Sequence, residues 1–86
     1  MYEVRNTQEA RADFQSLPLA IQTRVRALYQ RLARWPDVSG AKALQGSLRG
    51  TYRLRTGDYR VLFRVEQHVR RIVVFRIAHR RDVYDQ

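Results

Sequence analysis

The spacing of apolar residues changes once along this chain, from a helical period to a strand period. Between residues 17 and 35, apolar side chains recur every three or four positions, which is the stripe of an amphipathic helix. The stripe consists of Leu17, Ile21, Val25, Leu28, Leu32 and Trp35. From residue 51 onward, apolar and polar residues alternate, which is typical of a half-buried strand. The pattern therefore predicts helices in the first half and a sheet in the second.

The first 36 residues predict a short strand followed by a helical hairpin. Residues 2–5 alternate as a strand does, and Asn6 followed by Glu9 has the form of a capping box that begins a helix. Three apolar residues of this helix share one face: Ala10, Phe14 and Leu17. Pro18 either ends this helix or lies in the first turn of the next one, and Pro36 stops the second helix. The two helices therefore present one shared apolar face.

The rest of the chain predicts a loop and three strands. The glycine- and serine-containing loop runs over residues 36–50, with one helical turn expected around Ala43. The alternating segments "TYRLRT" and "YRVLFRVE" form a hairpin, because the glycine and aspartate between them favour a tight turn. "RRIVVFRIAH" is apolar at nearly every position, which is typical of a central strand covered on both sides. The helix-facing residues of this strand are expected to be either Val73, Phe75 and Ile77 or Ile72 and Val74.

The fold class follows from the need to bury the apolar face of the helical hairpin. The hairpin needs an apolar sheet face, and the alternating strands provide one. We predict an α+β fold of two layers in the order β-α-α-β-β-β, with the hairpin on one face of a mainly antiparallel four-stranded sheet. With 86 residues, we expect a single domain over residues 1–86.

Charge adds a candidate ligand class to this picture. The formal net charge is +9, and all 17 basic residues except Lys42 are arginine. Residues 49–81 hold ten arginines against only Asp58 and Glu66. Because the planar guanidinium binds phosphate through two hydrogen bonds and stacks on bases, the second half suits a nucleic-acid partner.

Other features of the composition exclude several classes. Cysteine is absent, which excludes disulfides and thiolate metal sites and fits a cytoplasmic protein. The two histidines and the scattered carboxylates lack the spacing of a metal site, so we expect no metal and no cofactor. The longest uncharged apolar run, "IVVF", is far too short to span a bilayer, so no membrane association is expected.

Strand alternation concentrates the arginines on one side of the sheet. Arg53 and Arg55 share one face of their strand, and Arg60 can lie near them across the hairpin ladder. Like charges placed side by side repel each other. Such a face is therefore destabilising unless an anion binds there.

Two segments carry a resemblance to a known family. "LRGTYRLRTGDYRVLFRV" followed by "VVFRIAHRRDVY" closely resembles the RelE branch of the RelE/ParE toxin superfamily, the toxin half of toxin–antitoxin pairs. The resemblance implies a toxin that enters the ribosomal A site and cuts the messenger RNA there. In that reaction the 2′-hydroxyl of one nucleotide attacks the adjacent phosphodiester. It also implies an acidic antitoxin that wraps the toxin, the 70S ribosome and mRNA as partners, and operator DNA contacted only through the antitoxin.

The resemblance also implies six site residues. Arg53 and Arg55 match two basic positions on the strand after the loop, and Arg60 matches the arginine after the Gly-x-Tyr turn. The remaining three matches are Arg80, just past the last strand, the aromatic Tyr84 that stacks on or orients the nucleotide, and His79, where some relatives place a histidine or another basic residue.

The identity of the general base is left open by these matches. Arginine replaces the lysine found at the strand positions of the best-known relatives, and arginine is a poor base because its pKa exceeds about 12. Some relatives use a glutamate before this strand, but "AKALQGSLRG" contains none. His79, with an unperturbed pKa of about 6.5, is the first candidate for acid or base chemistry, and Tyr84 is the second.

Two other functions compete with RNA cleavage. The first is a ParE-like toxin of the same fold that inhibits DNA gyrase by binding, and the second is a regulatory module that acts as corepressor with its antitoxin. Leu62, Ile72 and Val74 would suggest a docking site for the antitoxin's C-terminal segment if they lie beside the arginines.

Overall fold

In the computed structural model, which describes residues 1–46 and 50–82, two helices pack on one face of a five-stranded sheet. The elements are β1 (Glu3–Asn6), α1 (Gln8–Gln15), α2 (Leu19–Leu32), β2 (Lys42–Ala43), β3 (Thr51–Thr56), β4 (Tyr59–Glu66) and β5 (Arg71–His79). The predicted two-layer α+β arrangement is confirmed.

The sheet has the strand order β1-β5-β4-β3-β2. The first strand pairs with β5 in parallel, and all other neighbours are antiparallel. The sheet has five strands and not the predicted four, because Lys42 and Ala43 pair with β3 where a helical turn was expected. The Leu44 N–H also donates to the Thr51 carbonyl (2.9 Å), so the loop satisfies backbone groups on the outer edge of β3.

The first helix begins one residue later than the capping-box pattern suggests. Thr7 is the N-cap, and its hydroxyl accepts a hydrogen bond from the Ala10 N–H (3.1 Å). Asn6 instead ends β1, and its side-chain oxygen accepts a hydrogen bond from the Tyr29 hydroxyl at 2.7 Å. The predicted capping role of Asn6 is therefore wrong, because this side chain joins the first strand to α2.

The predicted apolar stripe of the second helix faces the sheet. Val25, Leu28 and Leu32 are buried, and Trp35 packs edge-on against the rings of Tyr52 (4.8 Å) and Phe63 (5.6 Å). Pro18 is the N-cap of this helix, directly before its first turn, so it lies next to the expected first-turn position and not within it. The stripe and the sheet thus form one apolar core.

A β-bulge in β5 decides which residues of this strand reach the core. Phe63 lies opposite Val74, but its neighbour Leu62 lies opposite Arg76, so Phe75 is the extra residue. Ile72, Val74 and Ile77 all join the core as a result. The prediction of one strand parity or the other is therefore wrong, because the strand uses both, one on each side of the bulge.

The part of β5 beyond the bulge is held on its free edge by a helix. The first strand ends at Asn6, opposite Val74, and further along β5 the Ile77 N–H donates to the carboxylate of Asp13 in α1 (2.9 Å). Within residues 1–46 and 50–82, no helix has the length and apolar character needed to cross a membrane.

Candidate functional site

The side of the sheet opposite the helices carries a group of arginines. We call it the arginine face, and its members toward the β3–β4 turn are Arg53, Arg55, Arg60 and Arg76. Arg55 lies directly opposite Arg60 across the β3–β4 ladder. Leu62 lies between Arg53 on one side and Arg76 on the other. Four guanidinium groups are thus carried by three adjacent strands.

Two of these arginines are buried and two are exposed. Arg53 is 8% exposed and Arg60 is 5% exposed, whereas Arg55 and Arg76 are open to solvent. Charged side chains are rarely buried to this degree, because removing a charge from water costs several kcal/mol unless it is compensated. Because the side chains of Arg53 and Arg60 are packed inside the protein, they are fixed in place. The exposed side chain of Arg55 is accessible to a ligand.

In the described strands, the carboxylates on this face lie at its opposite end. There, Glu66 pairs with Arg64 (3.4 Å) and Arg71 (3.3 Å), and Glu3 pairs with Arg5 at 2.9 Å. The hydrogen bond from Arg5 is the main cause that lowers the pKa of Glu3 below its usual value. By contrast, the segments 51–56, 59–62 and 76–78 contain no aspartate or glutamate. The end of the face that these segments form, which we call the arginine-rich end, is therefore the part suited to an anionic ligand.

Arg76 is a member of this face that sequence reasoning missed. Alternation counted from Ile72 or Val74 places Arg76 on the helix side, and the bulge moves it to the arginine face. The only signal in the sequence is an arginine within a run that is otherwise apolar from Ile72 to Ala78.

The structure does not place His79 on the arginine face. His79 lies opposite Tyr59, on the helix side of the sheet, and the two rings meet edge-on at 5.2 Å. The cause is again the bulge, since regular alternation from Ile72 would have placed His79 beside the arginines. Its Nδ1 accepts a hydrogen bond from the Arg81 N–H (3.2 Å), so the ring stabilises the short 3₁₀ turn Arg80–Asp82.

Arg80 lies at the end of the sheet where the β3–β4 turn is located. Its backbone N–H donates to the Asp58 carbonyl at 2.7 Å, and its Nε lies 3.8 Å from the Asp58 carboxylate. Both side chains are more than half exposed, so this ion pair is weak and can open for a ligand. The sixth predicted site residue, Tyr84, lies outside the described residues.

The arrangement offers phosphate-binding chemistry without a metal cage. Within the described ranges, no group of three or more histidine, aspartate or glutamate side chains is placed to hold a metal ion. The hydrogen-bond donors at the arginine-rich end of the face are guanidinium N–H groups. They can form paired hydrogen bonds to phosphate oxygens.

Comparison with known proteins agrees with this fold. Residues 4–84 match the family described as "ParE toxin of type II toxin-antitoxin system, parDE". The chain is 38% identical over 84 residues to Toxin RelG of Mycobacterium tuberculosis, covering 96% of this chain and 95% of that protein.

Two solved structures extend the comparison. The crystal structure of the toxin–antitoxin complex RelBE2 from Mycobacterium tuberculosis superimposes with a TM-score of 0.82 at 36% identity, over 94% of this chain and 93% of that one. The archaeal RelE–RelB complex from Pyrococcus horikoshii OT3 superimposes with a TM-score of 0.76 at 26% identity, over 95% and 98% of the two chains. The fold is therefore that of a type II toxin. The chain belongs to the ParE toxin family of type II toxin–antitoxin systems, within the RelE/ParE superfamily.

Proposed function

We propose that this toxin is a ribosome-dependent mRNA endonuclease that cleaves in the A site and thereby inhibits translation. The observation that carries the proposal is the group of four arginines, Arg53, Arg55, Arg60 and Arg76, on strand segments that contain no aspartate or glutamate. The exposed guanidinium groups of Arg55 and Arg76 on this face attract a polyanionic ligand.

The chemistry needs the residues that this face provides. The 2′-oxygen of one nucleotide forms a bond to the adjacent phosphorus and the bond from phosphorus to the 5′-oxygen breaks. The products are a 2′,3′-cyclic phosphate and a 5′-hydroxyl. The proton leaves the 2′-hydroxyl and one proton is delivered to the 5′-oxygen. The transition state gathers negative charge on the phosphoryl oxygens, where fixed guanidinium donors stabilise it most.

Each proposed site residue has a distinct part in this scheme. Arg53 and Arg60 are buried and supply fixed positive charge, while Arg55 and Arg80 are exposed and contact the phosphate. Tyr84 is proposed to stack on a base. His79 is assigned a positioning role, because its hydrogen bond with the Arg81 N–H stabilises the turn that begins at Arg80.

An acidic antitoxin is the proposed inhibitor of this toxin. The two superimposed structures are a toxin–antitoxin complex and a RelE–RelB complex. The net charge of +9 requires a partner of opposite charge for tight neutralisation. Of the three apolar residues considered for docking, Leu62 lies on the arginine face but is only 7% exposed, and Ile72 and Val74 are in the core, so these three side chains do not form an open docking site. Operator DNA would be contacted through the antitoxin.

The test is cleavage of a defined message on purified ribosomes stalled with an empty A site. Wild-type toxin is expected to cut within the A-site codon, leaving a 5′-hydroxyl on the downstream fragment. Arg55→Gln should slow cleavage by about 10²–10³-fold, which corresponds to about 2.7–4 kcal/mol for one preorganised donor. Since Arg55 is exposed, the variant is expected to fold normally.

Arg64→Gln is the matched control for this experiment. Arg64 lies on the same face at the end balanced by Glu66, and removing it changes the net charge equally. Its cleavage rate should stay within about threefold of the wild type. Intact message on stalled ribosomes, or an equal loss of rate in both variants, would contradict the proposal.

Gyrase inhibition is the second candidate, because the matching family is described as the ParE toxin. In that case the toxin would act by binding and would cut no RNA. Inhibition of DNA supercoiling by purified gyrase, together with intact message on ribosomes, would replace the endonuclease proposal with this one.

A further inference from the structure

A basic cavity lies beside the arginine face, between the C-terminal half of α2, the loop that follows it and the edge of β3. Its volume is about 280 Å³. Its polar lining consists of Arg31, Ser39, Lys42, Arg53 and Arg55, with the backbone of Gly40 completing the wall. Four of these residues are cations, and none of the lining residues is an aspartate or glutamate.

Arg31 is held in this cavity by the loop. Its Nη2 donates to the Ser39 carbonyl at 2.6 Å and lies 3.4 Å from the Ser39 hydroxyl. Both contacts use the same nitrogen, so Nε and Nη1 retain three further N–H groups for a ligand. The guanidinium is therefore oriented by the protein before any ligand binds.

The edge of β3 contributes the other side of the cavity. The second strand contains only Lys42 and Ala43, and the last pair of this ladder is Lys42 with Arg53. In the described part of the chain, no strand covers the outer edge of β3 at Leu54 and Arg55. Arg55 therefore borders both the cavity and the arginine face.

We propose that this cavity is a second phosphate subsite, which binds a backbone phosphate of the RNA next to the one at Arg55. Arg31 and Lys42 are its specific residues. The inference rests on the proposed function, because it takes the ligand to be RNA. Arg31, Lys42 and Arg55 place three exposed like charges around one cavity, and a phosphodiester that bridges them reduces their repulsion.

RNA fits this cavity better than an antitoxin segment does. A docked protein segment needs apolar pockets to bury its side chains, and Leu54 is the only large apolar residue in this lining. Continuity with Arg55 also favours a chain of regularly spaced phosphates, because the same polymer can then occupy both places.

The experiment measures the binding of a 2′-O-methyl dodecanucleotide to purified toxin by fluorescence anisotropy across a range of salt concentrations. This RNA cannot be cut by 2′-attack, so binding is measured without cleavage. Lys42→Gln and Arg31→Gln should each weaken binding and reduce the slope of log K against log salt by about 0.7, the value for one lost phosphate contact on a single strand. Arg11→Gln, which removes the same charge from an exposed site on α1, should leave the slope unchanged.

Three further measurements accompany this titration: the thermal midpoint of the free toxin, the binding of the cognate antitoxin and ribosomal cleavage. Lys42→Gln should raise the thermal midpoint of the free toxin or leave it unchanged, since it removes repulsion without breaking a described hydrogen bond. If Lys42→Gln and Arg31→Gln show the same salt slope as Arg11→Gln, the subsite is overturned. It is also overturned if these two variants weaken only the binding of the cognate antitoxin. Ribosomal cleavage is assayed separately, so reduced RNA slopes without cleavage would support the subsite and refute the endonuclease.

Discussion

Asp13 reaches from α1 to the free edge of β5, and its replacement tests how the end of this strand is held. Its carboxylate accepts the Ile77 N–H at 2.9 Å. Ile77 is only 3% exposed, so Asp13→Ala would leave a buried N–H without its acceptor. Such a loss costs about 1–3 kcal/mol, and because Asp13 itself is only half-buried, we expect about 2 kcal/mol.

The magnitude can be measured by urea and thermal unfolding, with the fluorescence of Trp35 as the probe. For a domain of this size, 2 kcal/mol lowers the thermal midpoint by about 8–16 °C. Asp13→Asn keeps an oxygen acceptor and should lose about half as much. Hydrogen exchange at the Ile77 amide should accelerate in the alanine variant, which locates the effect at this bond.

Asp37→Ala is the matched control, because it removes a carboxylate from an exposed loop position. It should change the free energy of unfolding by less than about 0.5 kcal/mol. The reasoning is refuted if Asp13→Ala is as stable as Asp37→Ala, or if Asp13→Asn is as damaging as Asp13→Ala. The second outcome would mean that the charge of Asp13, and not its acceptor oxygen, holds the strand.

Three further changes test the core, a hydrogen bond and a turn. Phe63→Ala removes a fully buried ring and should lower the free energy of unfolding by about 3–5 kcal/mol in urea titrations. Tyr29→Phe breaks the 2.7 Å bond to Asn6 and should cost about 0.5–1.5 kcal/mol at neutral pH. Burial raises the pKa of Tyr29 from its ordinary value of 10.0 to about 12, so the wild type should lose stability as the pH rises from 10 to 12. The phenylalanine variant should lose less over that window. Gly57→Ala should cost about 1–2 kcal/mol by thermal unfolding, because Gly57 has a φ of 58°. A Gly57→Ala midpoint equal to the wild type would contradict this assignment of strain.

The local periodicity of the sequence predicted the helical hairpin and the β3–β4 hairpin correctly. The stripe that includes Val25, Leu28 and Leu32 depends only on helical geometry. The facing of Arg55 and Arg60 follows from a two-residue turn, which fixes the register of the ladder. These features could be predicted because each depends on neighbours in sequence.

The features that sequence reasoning missed depend on partners that are distant in sequence. The pairing of Lys42 with Arg53 exists because β3 has a free edge, and a two-residue strand has no period of its own. Asn6 was expected to cap a helix, but its side chain accepts the hydroxyl of Tyr29, 23 residues away. The positions of Arg76 and His79 depend on an extra residue that only the ladder with β4 reveals.

The extra residue in β5 reverses which residues of this strand face the helices. Before Phe75, even-numbered residues point toward the helices, and after it odd-numbered residues do. Deleting Phe75 would remove the bulge and leave the facing of the later residues unchanged, because Arg76 would then follow Val74 in regular alternation. A strand that kept Phe75 but lacked the bulge would instead turn both Ile77 and His79 to the arginine face. A relative of the same length without the bulge would therefore carry the same closing motif on the opposite side of the sheet. The functional role of a residue in this segment should therefore be transferred between relatives only after the bulge positions of the two strands have been aligned.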